Sequence, residues 1–192
     1  MTLESQDSLL DVLLWVGIRG LVPLEELETR LQSMGWSGLS QLGDWVSLES
    51  GYCQLSEKGD AHLTTLCRQR YDVAEKDTLE LFFDAFERLD REFKAIASKW
   101  QEIRIQEPDP DELVSVLEKW FAVDDNLREL MTQYPVASKV IGPYVERLHD
   151  ARRRFEGGET DAFTGINDDS YHTVWHATHE VLLRALDRQR HE

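Results

Sequence analysis

The sequence predicts a mostly α-helical protein in two parts. Residues 1–72 form a small domain of three helices, a β-hairpin and a further helix, and residues 73–192 form a helical domain built on one long helix. Three observations predict this. Apolar residues recur at helical spacing over most of the chain. Glycine concentrates before residue 60, so short elements and tight turns belong to the N-terminal third. One segment, Ser47 to Leu55, leaves the helical period for a strand–turn–strand pattern around Ser50-Gly51.

The elements follow in order. Ser8 is placed to cap a first helix running to Arg19, with Leu9, Leu10, Val12, Leu13, Val16 and Ile18 as its apolar face and Gly20 as its stop. Pro23 suits the first turn of a second helix, where Glu25 and Glu26 favour the N-terminus and Leu24, Leu27 and Leu31 share one face. A short third helix fits Leu39 to Val46. The hairpin follows, and Ser56 then caps a helix from Glu57 to about Tyr71.

Two stretches in this order carry a family resemblance. VPLEELETRL looks like the second helix of a helix-turn-helix. GYCQLSEKGDAHL is similar to the run Y-x-L-T-x-x-G-x-x-x-L that leaves a wing, with Ser56 where threonine is usual. The N-terminal third thus resembles the winged-helix domain of MarR- and PadR-type regulators. That resemblance implies a third helix for reading DNA, a β-hairpin wing and a dimer.

In the second part, Leu79, Phe82, Phe86, Leu89, Phe93, Ile96, Trp100 and Ile103 are spaced alternately three and four residues apart. This is a heptad seam on a helix from about Lys76 to Gln106, near 45 Å long at ~1.5 Å per residue. Such a seam serves either a packed hairpin within one chain or a dimerisation helix, and its four aromatics suit globular packing better than a slender two-stranded coil. Pro108 and Pro110 break the helix, and Asp109 caps the next with Pro110 at its first position. Helical pattern continues to Tyr134, then from Ala137 to Phe155 with a kink expected at Gly142-Pro143. A loop from Glu159 to Asn167 leads to a last helix, Asp168 to about Arg188.

Composition excludes several functions. The 192 residues carry a net charge of −16, which disfavours nucleic acid and anionic membranes as partners. No apolar run approaches the ~20 residues needed to span a bilayer. MTLESQDSLL has no basic n-region, and Cys53 and Cys67 make no disulfide framework, so a reduced, cytoplasmic protein is expected. No P-loop, GxGxxG turn or GxSxG elbow is present, and no catalytic residue or cofactor-binding motif emerges.

Charge also bears on the resemblance. A recognition helix and wing would fall within Trp36 to Ser56, a stretch that contains Asp44 and Glu49 but neither lysine nor arginine. Phosphate contacts need cations or N–H donors. The expected function is therefore a cytoplasmic regulatory or protein-interaction module using a winged helix without a basic face. Trp36, Trp45 and Tyr52 are its candidate contact residues, and its partner is another protein or a second copy. A dimeric, DNA-binding transcription regulator is the first alternative. The second is a metal-binding helical protein. His172, His176 and His179 stand at i, i+4 and i+7 on one helical stripe, and imidazoles at that spacing can share a divalent ion. His62 and His149 are isolated, Asp124-Asp125 reads as capping or solvated, and Arg152-Arg153-Arg154 reads as cations favouring a helix C-terminus.

Overall fold

The computed structural model describes residues 3–105, 109–165 and 169–188, with the side chains of residues 3–6 left aside. The fold is mostly α-helical with one small antiparallel sheet. The chain divides into two compact units, Met1–Arg70 with Leu183–Glu192, and Tyr71–Leu182. Among the described residues no helix is long and apolar enough to cross a membrane.

The first unit runs α1 (Leu3–Arg19), β1 (Val22–Pro23), α2 (Leu24–Ser33), β2 (Val46–Glu49), β3 (Tyr52–Leu55) and α3 (Glu57–Arg68). Helix α1 begins before Ser8, which lies inside it rather than capping it. Its Leu9, Leu10, Val12, Leu13 and Val16 are buried, as are Leu27 and Leu31 of α2 and Leu63 of α3, and α1 packs on α3. The sheet order is β1-β3-β2, with Val22 opposite Cys53 and Val46 opposite Leu55. Ser50 and Gly51 both take positive φ (52° and 84°), the backbone of a type I′ hairpin turn, whose twist matches that of the strands. The expected third α-helix is absent. In its place stand two short 3-10 turns, Leu39–Gln41 and Gly43–Trp45. Gly43 has φ of 51°, a left-handed conformation that a continuous α-helix cannot hold.

The second unit contains α4 (Lys76–Ile105), α5 (Pro110–Gln133), α6 (Val136–Glu156), α7 (Asp161–Thr164) and α8 (Tyr171–Leu186) through Leu182. Asp72 and Glu75 form a reciprocal capping box on the 3-10 turn that leads into α4. Asp109 caps α5 through the amide of Asp111, with Pro110 in the first turn. Helix α6 runs on through Pro143. The one-turn α7 lies in what reads from sequence as a loop, and Asp168 and Asn167 fall outside the described residues.

All eight seam residues of α4, from Leu79 to Ile103, are buried by their own chain. Phe86 and Phe93 lie against Trp175 of α8 at ring separations of 5.0 and 4.7 Å, and Trp100 lies against Phe155 and Phe163. Trp120 of α5 stacks on Phe163 at 3.8 Å. The seam residues are thus buried among the helices of their own chain. Aromatic bulk explains this: wide rings fill the space between several helices better than the narrow interface of two.

Candidate functional site

The hairpin and the 3-10 turns are held by a compact polar joint. The Ser56 side chain accepts from the Gly59 amide (3.0 Å) and donates to the Asp44 carbonyl (2.5 Å), while the Ser56 amide donates to the Trp45 carbonyl (3.0 Å). Ser56 thus caps α3 and ties it to the preceding turn. Gly59 allows that approach, since a Cβ there would lie 1.9 Å from the Trp45 carbonyl oxygen. The run GYCQLSEKGDAHL is a packing motif as it stands here: Ser56 caps, Gly59 gives clearance and Leu63 fills the core.

The candidate contact residues do not behave alike. Trp45 is half-buried, its ring parallel to and 4.4 Å from His62. Trp36 is half-buried as well. Tyr52 is 48% exposed and Leu48 is 54% exposed. Register puts these two on opposite faces of the hairpin, because Leu48 pairs with buried Cys53 and Tyr52 pairs with Glu49 and Pro23.

Five cations of this unit are paired with carboxylates. Arg19 pairs with Glu26 (2.6 Å), Lys58 with Asp44 (2.8 Å), Arg70 with Asp7 (2.5 Å) and Arg184 with Asp60 (2.7 Å), and Arg68 pairs with Asp187. Arg30 lies over the Trp15 ring at 4.8 Å. The Lys58–Asp44 hydrogen bond raises the lysine pKa and lowers that of the carboxyl, keeping both ionised together.

In the second unit the histidine stripe divides. The Nε2 atoms of His172 and His176 lie 3.1 Å apart. Burial lowers the pKa of His172 and holds it neutral. His179 is nearly fully buried and faces α4 instead. Its Nε2 is 2.6 Å from Glu87 Oε1, and its Nδ1 is 3.9 Å from Asp90 Oδ2 and has no hydrogen-bond partner. Asp90 is 1% exposed, accepts from Trp175 Nε1 (2.9 Å) and pairs with Lys94 (2.6 Å). Glu87, Asp90 and His179 offer one ligand atom each within 4.8 Å of one another, the one such group of three among the described residues. The three histidines therefore form no common centre with one another: two meet, and the third joins two carboxylates that sequence reasoning missed. A signal did exist. Phe83, Phe86, Asp90, Phe93 and Ala97 form a second helical stripe, all buried, with a carboxylate at its centre.

Asp124 and Arg152 correct the sequence reading in another way. Asp124 is neither a cap nor solvated but 2% exposed. It is held by Arg152 (2.7 Å), Arg128 (2.9 Å) and the Tyr171 hydroxyl (3.0 Å). Arg152 also reaches Asp125 and Glu156 and lies over Phe121, so it serves this buried network rather than the helix end. Arg154 pairs with Glu159, and Arg153 with Asp150. Arg128 and His149 Nδ1 lie 2.6 Å apart, and the nitrogen accepts, since guanidinium only donates. Burial first, then the adjacent Asp124 charge, raises the Tyr171 pKa well above the ordinary phenol value.

No family model, curated protein or solved structure matches the chain.

Proposed function

We propose that the chain is a cytoplasmic regulatory module whose first unit is a winged-helix-like domain used for protein contact rather than for reading DNA. The observation that carries this is the state of its cations. The stretch Trp36 to Ser56 holds no lysine or arginine. Around it, Arg19, Lys58, Arg68, Arg70 and Arg184 are each engaged by a carboxylate. Phosphate binding draws its affinity from free cations that release the counterions condensed on the DNA, and a cation already paired with a carboxylate contributes little.

Two further features support the reading. The order helix, strand, helix, turns, hairpin, helix resembles that of a winged helix, with 3-10 turns where a groove-reading helix is required. The hairpin meanwhile holds Leu48 and Tyr52 half out in solvent, side chains of the kind that anchor protein interfaces. Cys53 and Cys67 are buried and outside any disulfide, which fits a reducing compartment. Because the α4 seam residues are buried by their own chain, a second copy of the chain would have to dock elsewhere.

Two measurements test the proposal. Fluorescence anisotropy with duplex DNA at low and physiological salt should show no salt-sensitive binding. A photoreactive residue placed at Tyr52 should crosslink in cells to one discrete protein, and the absence of any discrete adduct would remove the hairpin as the contact. Duplex binding that falls steeply with salt would overturn the proposal in favour of a transcription regulator.

A further inference from the structure

We infer that Glu87, Asp90 and His179 form a binding site for a divalent transition-metal ion between α4 and α8. The site lies within the Tyr71–Leu182 unit and stands whatever the first unit contacts.

A carboxylate oxygen can only accept, so the 2.6 Å contact between Glu87 Oε1 and His179 Nε2 places an imidazole hydrogen on Nε2. The other ring nitrogen, Nδ1, is buried, has no hydrogen-bond partner and lies 3.9 Å from the Asp90 carboxylate. A buried polar atom left unpartnered beside a carboxylate is unfavourable unless something positive, a second ring proton or a metal ion, stands between them.

The gap has the dimensions of a ligand pair. Imidazole and carboxylate bonds to a first-row divalent ion are about 2.0–2.2 Å each, and two such bonds at an open angle span the observed separation. Glu87 then plays the part that a carboxylate plays behind a metal-bound histidine: it fixes the tautomer, orients the ring and raises ligand basicity. Glu87 is also only part-buried, which opens the cluster to solvent on one side. One imidazole nitrogen and one carboxylate, with water completing the coordination shell, suit Zn²⁺, Co²⁺, Mn²⁺ or Fe²⁺.

Lys94 is the resident competitor. Its ammonium lies 2.6 Å from the same Asp90 oxygen that Nδ1 faces, but its side chain is 45% exposed on a flexible stem. It can leave for water, whereas Asp90 and His179 cannot. Metal entry is thus an exchange of one exposed cation for another that satisfies Nδ1 as well.

The test is titration of the full chain, purified without a histidine tag, with ZnCl₂ by calorimetry and with CoCl₂ by its visible d–d absorption. The wild type should take up one equivalent. His179→Gln should abolish uptake, Glu87→Gln should weaken it about 10-fold, and Lys94→Gln should tighten it several-fold. His172→Gln should leave it unchanged. Circular dichroism reports whether each variant is folded, and if His179→Gln is not, the opposite responses of the two exposed-side variants decide. No stoichiometric uptake by the wild type overturns the inference. So does uptake that Glu87→Gln and Lys94→Gln leave unmoved, or that His172→Gln removes.

Discussion

Gly59→Ala sets two forces against each other at one position. Gly59 lies inside α3, where intrinsic propensity favours alanine by about 1 kcal/mol. A Cβ at this position would stand 1.9 Å from the Trp45 carbonyl oxygen, 2.8 Å from its carbon and 3.1 Å from the Trp45 Cα. These are backbone atoms, so no side-chain rotation relieves the clash, and α3 and the 3-10 turn must part by more than an ångström. Overpacking of this kind costs about 1–3 kcal/mol. The Ser56 amide bond to the same carbonyl, 3.0 Å long, is strained with it, at about 1 kcal/mol more. Subtracting the propensity gain leaves a net loss of about 2 kcal/mol. Urea denaturation read by tryptophan fluorescence measures it, since Trp15, Trp36 and Trp45 all lie in the affected unit. Propensity and packing predict opposite signs. A Gly59→Ala protein as stable as the wild type, or more so, would refute the contact and with it the account of this motif glycine.

Three other outcomes are expected. Asp124→Asn leaves Arg152 largely buried and short of its main counter-charge, and should destabilise the chain by about 3 kcal/mol in chemical denaturation; a loss under about 1 kcal/mol would mean that the network is not buried in solution. The raised Tyr171 pKa means that the folded state keeps a proton which the unfolded chain releases from pH 10 upward, so stability is complete below pH 10 and falls above it. Tyr171→Phe should flatten that alkaline loss in pH-dependent melting curves. The lowered His172 pKa has the opposite sense: the unfolded chain takes up a proton below pH 6.5 before the folded one does, so stability is complete above that pH and falls as pH drops. His172→Gln should lessen the acid sensitivity, and an unchanged acid limb would remove His172 from the account.

Particular residues show what was legible beforehand. The Ser50-Gly51 turn, the Ser56 cap and the Asp109-Pro110 start of α5 could be read because each is decided within a few residues. The long α4 could be read because its burial repeats with the helical period. The third helix could not. Its apolar spacing is helical, but Gly43 turns the chain left-handed, and the capping bonds of Ser56 back to Asp44 and Trp45 outweigh the marginal stability of a helix so short. Where α1 begins was also misjudged, since Ser8 has cap chemistry but lies inside the helix.

The sequence by itself determined a mostly helical chain, a hairpin between helices, an acidic surface and a turn-and-hairpin stretch without cations. These follow from local periodicity, turn chemistry and charge count, which no distant contact alters. Only the tertiary structure decided which ionisable groups meet. His179 finds Glu87 across 92 residues, and Tyr171 finds Asp124 across 47. A histidine stripe is visible from spacing alone, but its partners depend on how α8 lies on α4. A carboxylate in a helix reads as solvated until packing removes the water around it, and only then does it need the arginine, the phenol or the imidazole that the fold brings to it.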